Sequence, residues 1–368
     1  MIPDPVRIHP DFSLNGVPYN RADLLEIGYS FIKEGRSFEQ PIGDFFLDWL
    51  SETTDVLVKT SGSTADARSI RLSKDAMAQS ARSTADFFNL DPGTSALHCL
   101  PADHIAGKMM LVRAMTLGWN LDIVEPSTTP LLGLQKTYDF CAMVPMQLRR
   151  SIRDIGRIKT LIVGGAPLQS DLIKTAQDLS TSIFETYGMT ETTSHIALKP
   201  INGPAGNYGD TAVDIFTALP GIVLSQDKRG CLGMKVPWLN GNEIITNDLV
   251  ELASPTEFKW LGRWDNIVNS GGIKLIPEKI EKQIDALIEG RFIVLGLPDK
   301  ELGQKLVLVV EGTGNGSSLA TQIQKLKGLD PYEVPREIHF IEHFPETPNA
   351  KINRRQLLSQ LSDSTTDL

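Results

Sequence analysis

The sequence predicts an α/β protein: a large N-terminal domain whose mostly parallel sheet is covered by helices, then a small C-terminal α+β domain. Three observations carry this. Between Asp55 and Thr186, short β-like runs alternate with helical patterns, the pattern of strands joined by helical crossovers. After Gly262 the pattern changes to short runs around a Gly-Gly pair. The length, 368 residues, exceeds that of one ordinary domain. The boundary falls near Asp265, giving domains over 1–264 and 265–368.

Asp55 to Lys59 reads as a strand. Ser73 is a suitable N-cap for a helix over Lys74 to Phe88, with Met77, Ala81 and Phe88 on one face. Ala96 to Leu100 is the next strand, and a helix from His104 to Leu117 is stopped by Gly118. Leu121–Val124, Phe140–Val144 and Thr160–Val163 are strands, followed by a helix over Leu168–Leu179 and a strand at Ile183–Thr186. In the small domain, Pro277–Leu287 is an amphipathic helix, and Phe292–Leu295 and Leu306–Val310 are strands. Gly312–Ser318 is a Gly/Ser-rich loop. A helix over Leu319–Lys327 and a strand at Ile338–Phe340 complete the unit, and the tail Ser362–Thr366 is expected to be disordered.

Composition narrows the function. The chain is 41% hydrophobic and 22% charged, with a formal net charge of -9. An acidic chain is a poor nucleic-acid binder, because duplex binding needs basic patches. The three cysteines, Cys99, Cys141 and Cys231, are odd in number and widely spaced. They suit neither a disulfide framework nor a zinc site and point to a reducing compartment. Met1-Ile2-Pro3-Asp4-Pro5 lacks a basic-then-apolar leader. Apolar runs such as Leu306–Val310 are too short to span a bilayer. The expectation is a cytoplasmic protein with no membrane contact. Nothing in the sequence indicates an oligomeric state.

Five segments could carry chemistry. Thr60-Ser61-Gly62-Ser63-Thr64, with Arg68, follows a strand and offers hydroxyls, backbone donors and a cation to phosphate oxygens. Gly164-Gly165-Ala166 lets a flat ligand approach the backbone. Tyr187-Gly188-Met189-Thr190-Glu191 lies at the end of a strand, where ligands collect in parallel sheets. Its ring can stack on a base, and Glu191 suits a hard cation such as Mg²⁺. Asp248 and Arg263 form a possible ribose site. Lys351, in Asn349-Ala350-Lys351-Ile352-Asn353-Arg354, is a cation able to reach a phosphate. Each has a plainer alternative on its own: a solvated turn, a strand–helix turn, an N-cap at Thr190, or surface charges.

In this order and spacing, the five segments resemble the adenylate-forming superfamily of acyl-CoA ligases, peptide-synthetase adenylation domains and luciferases. The resemblance runs from about Asp55 to about Leu358. It implies activation of a carboxylate by ATP to an acyl-adenylate, followed by displacement of AMP by a thiol, usually that of coenzyme A. By position, Thr60 to Thr64 and Arg68 would hold the β- and γ-phosphates, and Thr190 and Glu191 the α-phosphate and Mg²⁺. Gly164, Gly165, Ala166, Tyr187 and Gly188 would frame the adenine, and Asp248 and Arg263 would bind the ribose. Lys351 would bridge the attacking carboxylate and the α-phosphate. Asp265 would be the hinge of a mobile small domain, and Gly271 and Gly272 would line the pantetheine tunnel. The chain departs from the family pattern in Ala65-Asp66-Ala67-Arg68, in Ala350 before the lysine, and in its short N-terminal region.

The stretch Leu100 to Gly107, with Ser194-His195-Ile196-Ala197 after the Tyr-Gly-Met-Thr-Glu motif, looks like the substrate side of the o-succinylbenzoate–CoA ligases of menaquinone biosynthesis. That acid has a second carboxylate, so its pocket should offer a cation or several donors. His104 matches a family position and is assigned to the reacting site. Lys108, His195 and Lys199 are the candidates for the acid, beside their ordinary roles as solvated lysines and a structural histidine. Two alternatives remain: ligation of another acid to CoA or a carrier protein, and a nucleotide-binding sensor without catalysis.

Overall fold

A computed structural model describes residues 8–59, 69–202, 214–239, 241, 243–346 and 352–366. A hairpin of β1 (Ser13–Leu14) and β2 (Val17–Pro18) leads into helices α1 (Arg21–Glu34) and α2 (Gln40–Leu50). Asn20 and Asp23 form a reciprocal capping box that starts α1. The two helices touch at Gly28 and Gly43, where a Cβ on Gly43 would meet Gly28 O at 2.5 Å. Phe45, Phe46 and Trp49 of α2 are fully buried.

Strands β3 (Asp55–Lys59) and β4 (Ser69–Ser73) form a separate antiparallel pair, with Lys59 opposite Ser69. Helix α3 (Lys74–Phe88) starts where expected, its Ala76 N–H bonded to the Ser73 hydroxyl. Its predicted face packs inward, with Met77 and Ala81 buried and Phe88 edge-on to Phe184. Then follow β5 (Ser95–His98), α4 (Ile105–Leu117), β6 (Asn120–Ile123), β7 (Tyr138–Met143), α5 (Pro145–Ser151), β8 (Ile158–Val163), α6 (Ser170–Ala176) and β9 (Ser182–Gly188). Gly118 ends α4 with φ at +74°, a left-handed stop that glycine adopts freely.

After β9 the chain folds into β10 (His195–Pro200), β11 (Phe216–Ala218), β12 (Val223–Gln226), β13 (Cys231–Lys235), β14 (Glu243–Ser254) and β15 (Glu257–Arg263). Thirteen strands form one sheet, in the order β12-β13-β14-β15-β11-β10-β9-β8-β7-β5-β6-β1-β2. The α/β class holds, but the sheet is mixed: five neighbour pairs are parallel and seven antiparallel. Parallel pairing stops at β9 for a simple reason. Only a short 3₁₀ turn, Thr190–Thr192, separates β9 from β10, whereas a parallel return needs a crossover of a dozen or more residues.

From Val268 onward the strands belong to a second sheet. Strands β16 (Val268–Ser270), β17 (Ile273–Leu275), β18 (Phe292–Asp299), β19 (Gly303–Glu311) and β20 (Glu337–Ile341) pair in the order β17-β16-β19-β18, with β20 on β19. Strands β18 and β19 outrun their predicted limits because they pair with each other along their whole length, Phe292 to Val310 and Asp299 to Gly303. Helices α7 (Pro277–Ile284) and α8 (Gly316–Gln324) follow β17 and β19. The predicted loop over Gly312–Ser318 is shorter than expected, because Asn315 caps α8 by accepting from Ser318 N–H. The expected disorder after Ser362 is corrected too. Helix α9 (Arg354–Thr366) continues through it, anchored by the buried Leu357 and Leu361.

Candidate active site

The C-terminal ends of β8 and β9 carry the first candidate residues. Gly164, Gly165 and Ala166 follow β8; Gly165 has φ at +93°, and a Cβ on Gly164 would collide with Thr186 Oγ1. Tyr187 and Gly188 end β9, and a Cβ on Gly188 would meet His195 Cα and Ser194 O, each at 2.5 Å. The following 3₁₀ turn exposes Glu191 and half-buries Thr190. Thr192 closes it, its hydroxyl donating to Ser194 O at 2.7 Å. Thr193 holds φ at +75°, a conformation strained for a β-branched residue, and strain of this kind gathers at ligand sites.

Sixty-one residues beyond Tyr187, Asp248 of β14 accepts its phenol at 2.6 Å. Asp248 is only 6% exposed and also accepts from Trp260 Nε1 at 3.3 Å. Arg263 stands opposite it in the β14–β15 register, its Nη1 3.5 Å from the carboxylate. Burial, and then the Asp248 charge, hold the Tyr187 hydroxyl far above the ordinary tyrosine range, so it is a permanent donor. The Tyr187 ring lies edge-on to Phe258 at 5.1 Å. Arg263 reaches Asp265 as well, at 3.2 Å, and Asn247 Nδ2 donates to the same carboxylate at 3.1 Å. Gly271 and Gly272 form the two-residue turn between β16 and β17, with φ at +58° and +85°. A turn with two positive φ angles favours glycine on its own account.

At the start of β10 lies a buried polar cluster. Arg113, from the middle of α4, is 1% exposed. Its Nη2 donates to Ser194 Oγ at 3.1 Å and lies 3.4 Å from His195 Nδ1; its Nε donates to Thr84 Oγ1 at 3.4 Å. Among the described residues, Nη1 meets only the weakly accepting Met110 Sδ, at 3.7 Å. Burial pushes Arg113 down to about 9. His195 is itself driven well below its usual value, first by burial and then by Arg113, so it is neutral. The guanidinium's partners among the described residues are thus all uncharged. A buried cation in such a setting is costly until an anion joins it.

A family model described as "AMP-binding enzyme" matches residues 51–221. The solved structure of an acyl-CoA synthetase (AMP-forming)/AMP-acid ligase II-like protein from Dyadobacter fermentans is 38% identical, with a TM-score of 0.59, covering 89% of this chain and 95% of that one. The chain belongs to the AMP-forming acyl-CoA synthetase family. As such it is an acid–thiol ligase that uses ATP and coenzyme A on a small carboxylic acid. The synthetase is also 23% identical, over 84% of its length and 72% of the relative's, to 2-succinylbenzoate–CoA ligase of Lactococcus lactis. It is 25% identical to a probable 2-succinylbenzoate–CoA ligase of Mycobacterium tuberculosis, over 85% and 86% of the two chains. The fold matches o-succinylbenzoate CoA synthetase of Bacillus subtilis, solved with its acyl-adenylate intermediate, at a TM-score of 0.70 and 20% identity over 83% and 69% of the two chains. Among the described residues of the synthetase, no helix is long and apolar enough to cross a membrane.

The structure brings Tyr187, Asp248, Arg263 and Asp265 together, and it places Glu191 and Gly164 at neighbouring strand ends. Thr60, Ser61, Gly62, Ser63, Thr64, Arg68 and Lys351 lie outside the described residues. The lysine candidates have partners of their own. Lys199 is half-buried between Glu185 at 2.7 Å and Asp214 at 3.0 Å, so its charge is already neutralised. Lys108 lies over the Phe45 ring at 5.0 Å, with Asp103, Asp48 and Asp44 as its nearest charges. His104 occupies the N-cap position of α4 without a side-chain capping bond, and it is exposed. Sequence reasoning missed Arg113. Its signal was one cation inside the apolar run Met109-Met110-Leu111-Val112-Arg113-Ala114-Met115, where an unpaired charge needs a reason.

Proposed function

We propose that this synthetase joins 2-succinylbenzoate to coenzyme A through an acyl-adenylate, a step of menaquinone biosynthesis in the cytoplasm. One observation carries the choice of acid: a buried guanidinium, Arg113, whose partners among the described residues are all neutral. One carboxylate of the acid reacts, and the second pairs with Arg113 as a charge-assisted bond. The relatives of that name, at 23–25% identity, support the same choice.

On the nucleotide side, the loop Thr60 to Thr64 with Arg68 holds the β- and γ-phosphates. Tyr187 and Gly188, with Gly164, Gly165 and Ala166, frame the adenine, while Asp248 and Arg263 hold the ribose. Thr190 and Glu191 hold the α-phosphate and Mg²⁺, for which an exposed carboxylate oxygen is the right kind of ligand. The cation offsets the repulsion as one anion attacks another. Lys351 bridges the attacking carboxylate and the α-phosphate, with His104 beside the reacting centre. The domain over 265–368 turns about Asp265 between the two half-reactions, bringing Gly271 and Gly272 to the pantetheine arm.

The test is incubation with ATP, Mg²⁺, CoA and 2-succinylbenzoate, with mass spectrometry of the products. A CoA thioester that disappears in Lys351→Ala is the expected result. AMP and pyrophosphate without thioester would keep the acid and overturn CoA as the acceptor. No product from this acid, with product from another in a panel, would overturn the substrate assignment.

A further inference from the structure

The Arg113 cluster contains a closed ring of polar contacts with its own logic. Thr84 of α3 is fully buried, and its hydroxyl donates to Ser80 O at 3.1 Å. Its one proton is thereby used, so toward its other neighbours Thr84 Oγ1 is an acceptor. Those neighbours are Arg113 Nε, at 3.4 Å, and His195 Nε2, at 3.4 Å. The imidazole therefore carries its proton on Nε2. That leaves Nδ1 as a lone pair facing Arg113 Nη2 at 3.4 Å and the Ser194 hydroxyl at 3.4 Å. Arg113 is held along its Nε and Nη2 edge by three neutral acceptors, Thr84, Ser194 and His195, and Nη1 is left facing the replaceable sulfur of Met110.

We infer that Thr84 and His195 are positioning residues that orient the Arg113 guanidinium toward the second carboxylate of the acid. The inference rests on the proposed dicarboxylic substrate. A guanidinium binds carboxylate through a planar fork, so its rotation sets how well the acid is gripped. Three elements far apart in sequence, α3, α4 and the start of β10, each supply one member of the ring. His195 thus acts on the acid through Arg113, without touching the reacting atoms.

The test compares Thr84→Val, Thr84→Ser, His195→Leu and His195→Gln with the wild type in the full chain. The assay is thioester formation from 2-succinylbenzoate and from 4-oxo-4-phenylbutanoate, the same molecule without its ring carboxylate. Thr84→Val and His195→Leu are expected to raise KM for the dicarboxylate about tenfold, the size of one lost bond to a charged group. The kcat value, KM for ATP and turnover of the monocarboxylate should stay within about twofold. Serine and glutamine keep an acceptor and a donor in place and should restore KM. Equal losses for both acids, or an unchanged KM, would overturn the inference; if Thr84→Val does not fold, the His195 pair carries the comparison. A second readout needs no substrate: the imidazole ¹⁵N signals of His195, assigned by their loss in His195→Gln. The Nε2–H tautomer in the wild type, kept in Thr84→Ser and relaxing to a mixture in Thr84→Val, supports the ring. An Nδ1–H tautomer in the wild type overturns it. Failure of the wild type to use 2-succinylbenzoate would sink the substrate reading, and the tautomer measurement would then decide the ring alone.

Discussion

His98 lies on β5, 1% exposed, with neither ring nitrogen bonded among the described residues. Burial alone lowers its pKa from the ordinary 6.5 to about 4. In the unfolded chain the ring takes up a proton as pH falls through 6.5, while in the folded chain it does so only near 4. The unfolded state therefore binds more protons in this window, and stability falls as pH is lowered from 6.5 toward 4. At pH 5 the ratio of the two binding polynomials is about 30, so the loss attributable to His98 is about 2 kcal/mol; at pH 7 it is close to zero. The assay is urea unfolding of the wild type and of His98→Leu at pH 7 and pH 5. The wild type should lose about 2 kcal/mol more than the variant between the two pH values. At pH 7, His98→Leu should be at least as stable as the wild type, since it replaces unpartnered polar atoms with apolar ones. Equal losses in the two proteins would refute the argument, because they would mean that the folded imidazole titrates as freely as the unfolded one.

Further outcomes are expected elsewhere. Lys199→Ala should lower stability by roughly 3 kcal/mol, because it strands the buried Glu185 without its cation, while Asp214 keeps Lys282; a urea midpoint equal to that of the wild type would contradict the pairing. Gly188→Ala places a Cβ against the backbone of Ser194 and His195; displacement of that turn should reduce kcat/KM on the order of 10²-fold, and an activity near that of the wild type would show that the turn can yield. Lys351→Ala should slow adenylation by about 10²–10³ while sparing thioester formation from pre-formed acyl-adenylate, and equal loss in both half-reactions would count against domain rotation.

Local chemistry made several parts of the molecule legible. Helix α3 runs from Lys74 to Phe88 because a serine caps it and a consistent apolar face fills it, and both features are written within fifteen residues. Gly118 stops α4 for an equally local reason, a backbone angle that glycine adopts without strain. The small residues at Gly164 and Gly188 also stood out, although only the structure shows which atoms a side chain would strike. The antiparallel half of the large sheet was not legible, since pairing partners there depend on which distant strand comes alongside. Strand β11 pairs with β15, some forty residues on, in preference to its neighbour β12.

The sequence by itself determined the order of the chemistry-bearing segments along the chain and the strand ends that present them. It did so because turns, caps and strand ends are set by near neighbours. Tertiary structure alone decided which charges are available. Lys199 and Arg113 are both single cations in apolar surroundings when read along the chain. Folding sets one between Glu185 and Asp214 and leaves the other among neutral groups with Thr84, Ser194 and His195. Desolvation and pairing depend on residues tens of positions away, and those two effects decide whether a buried charge is already satisfied or is waiting for a ligand.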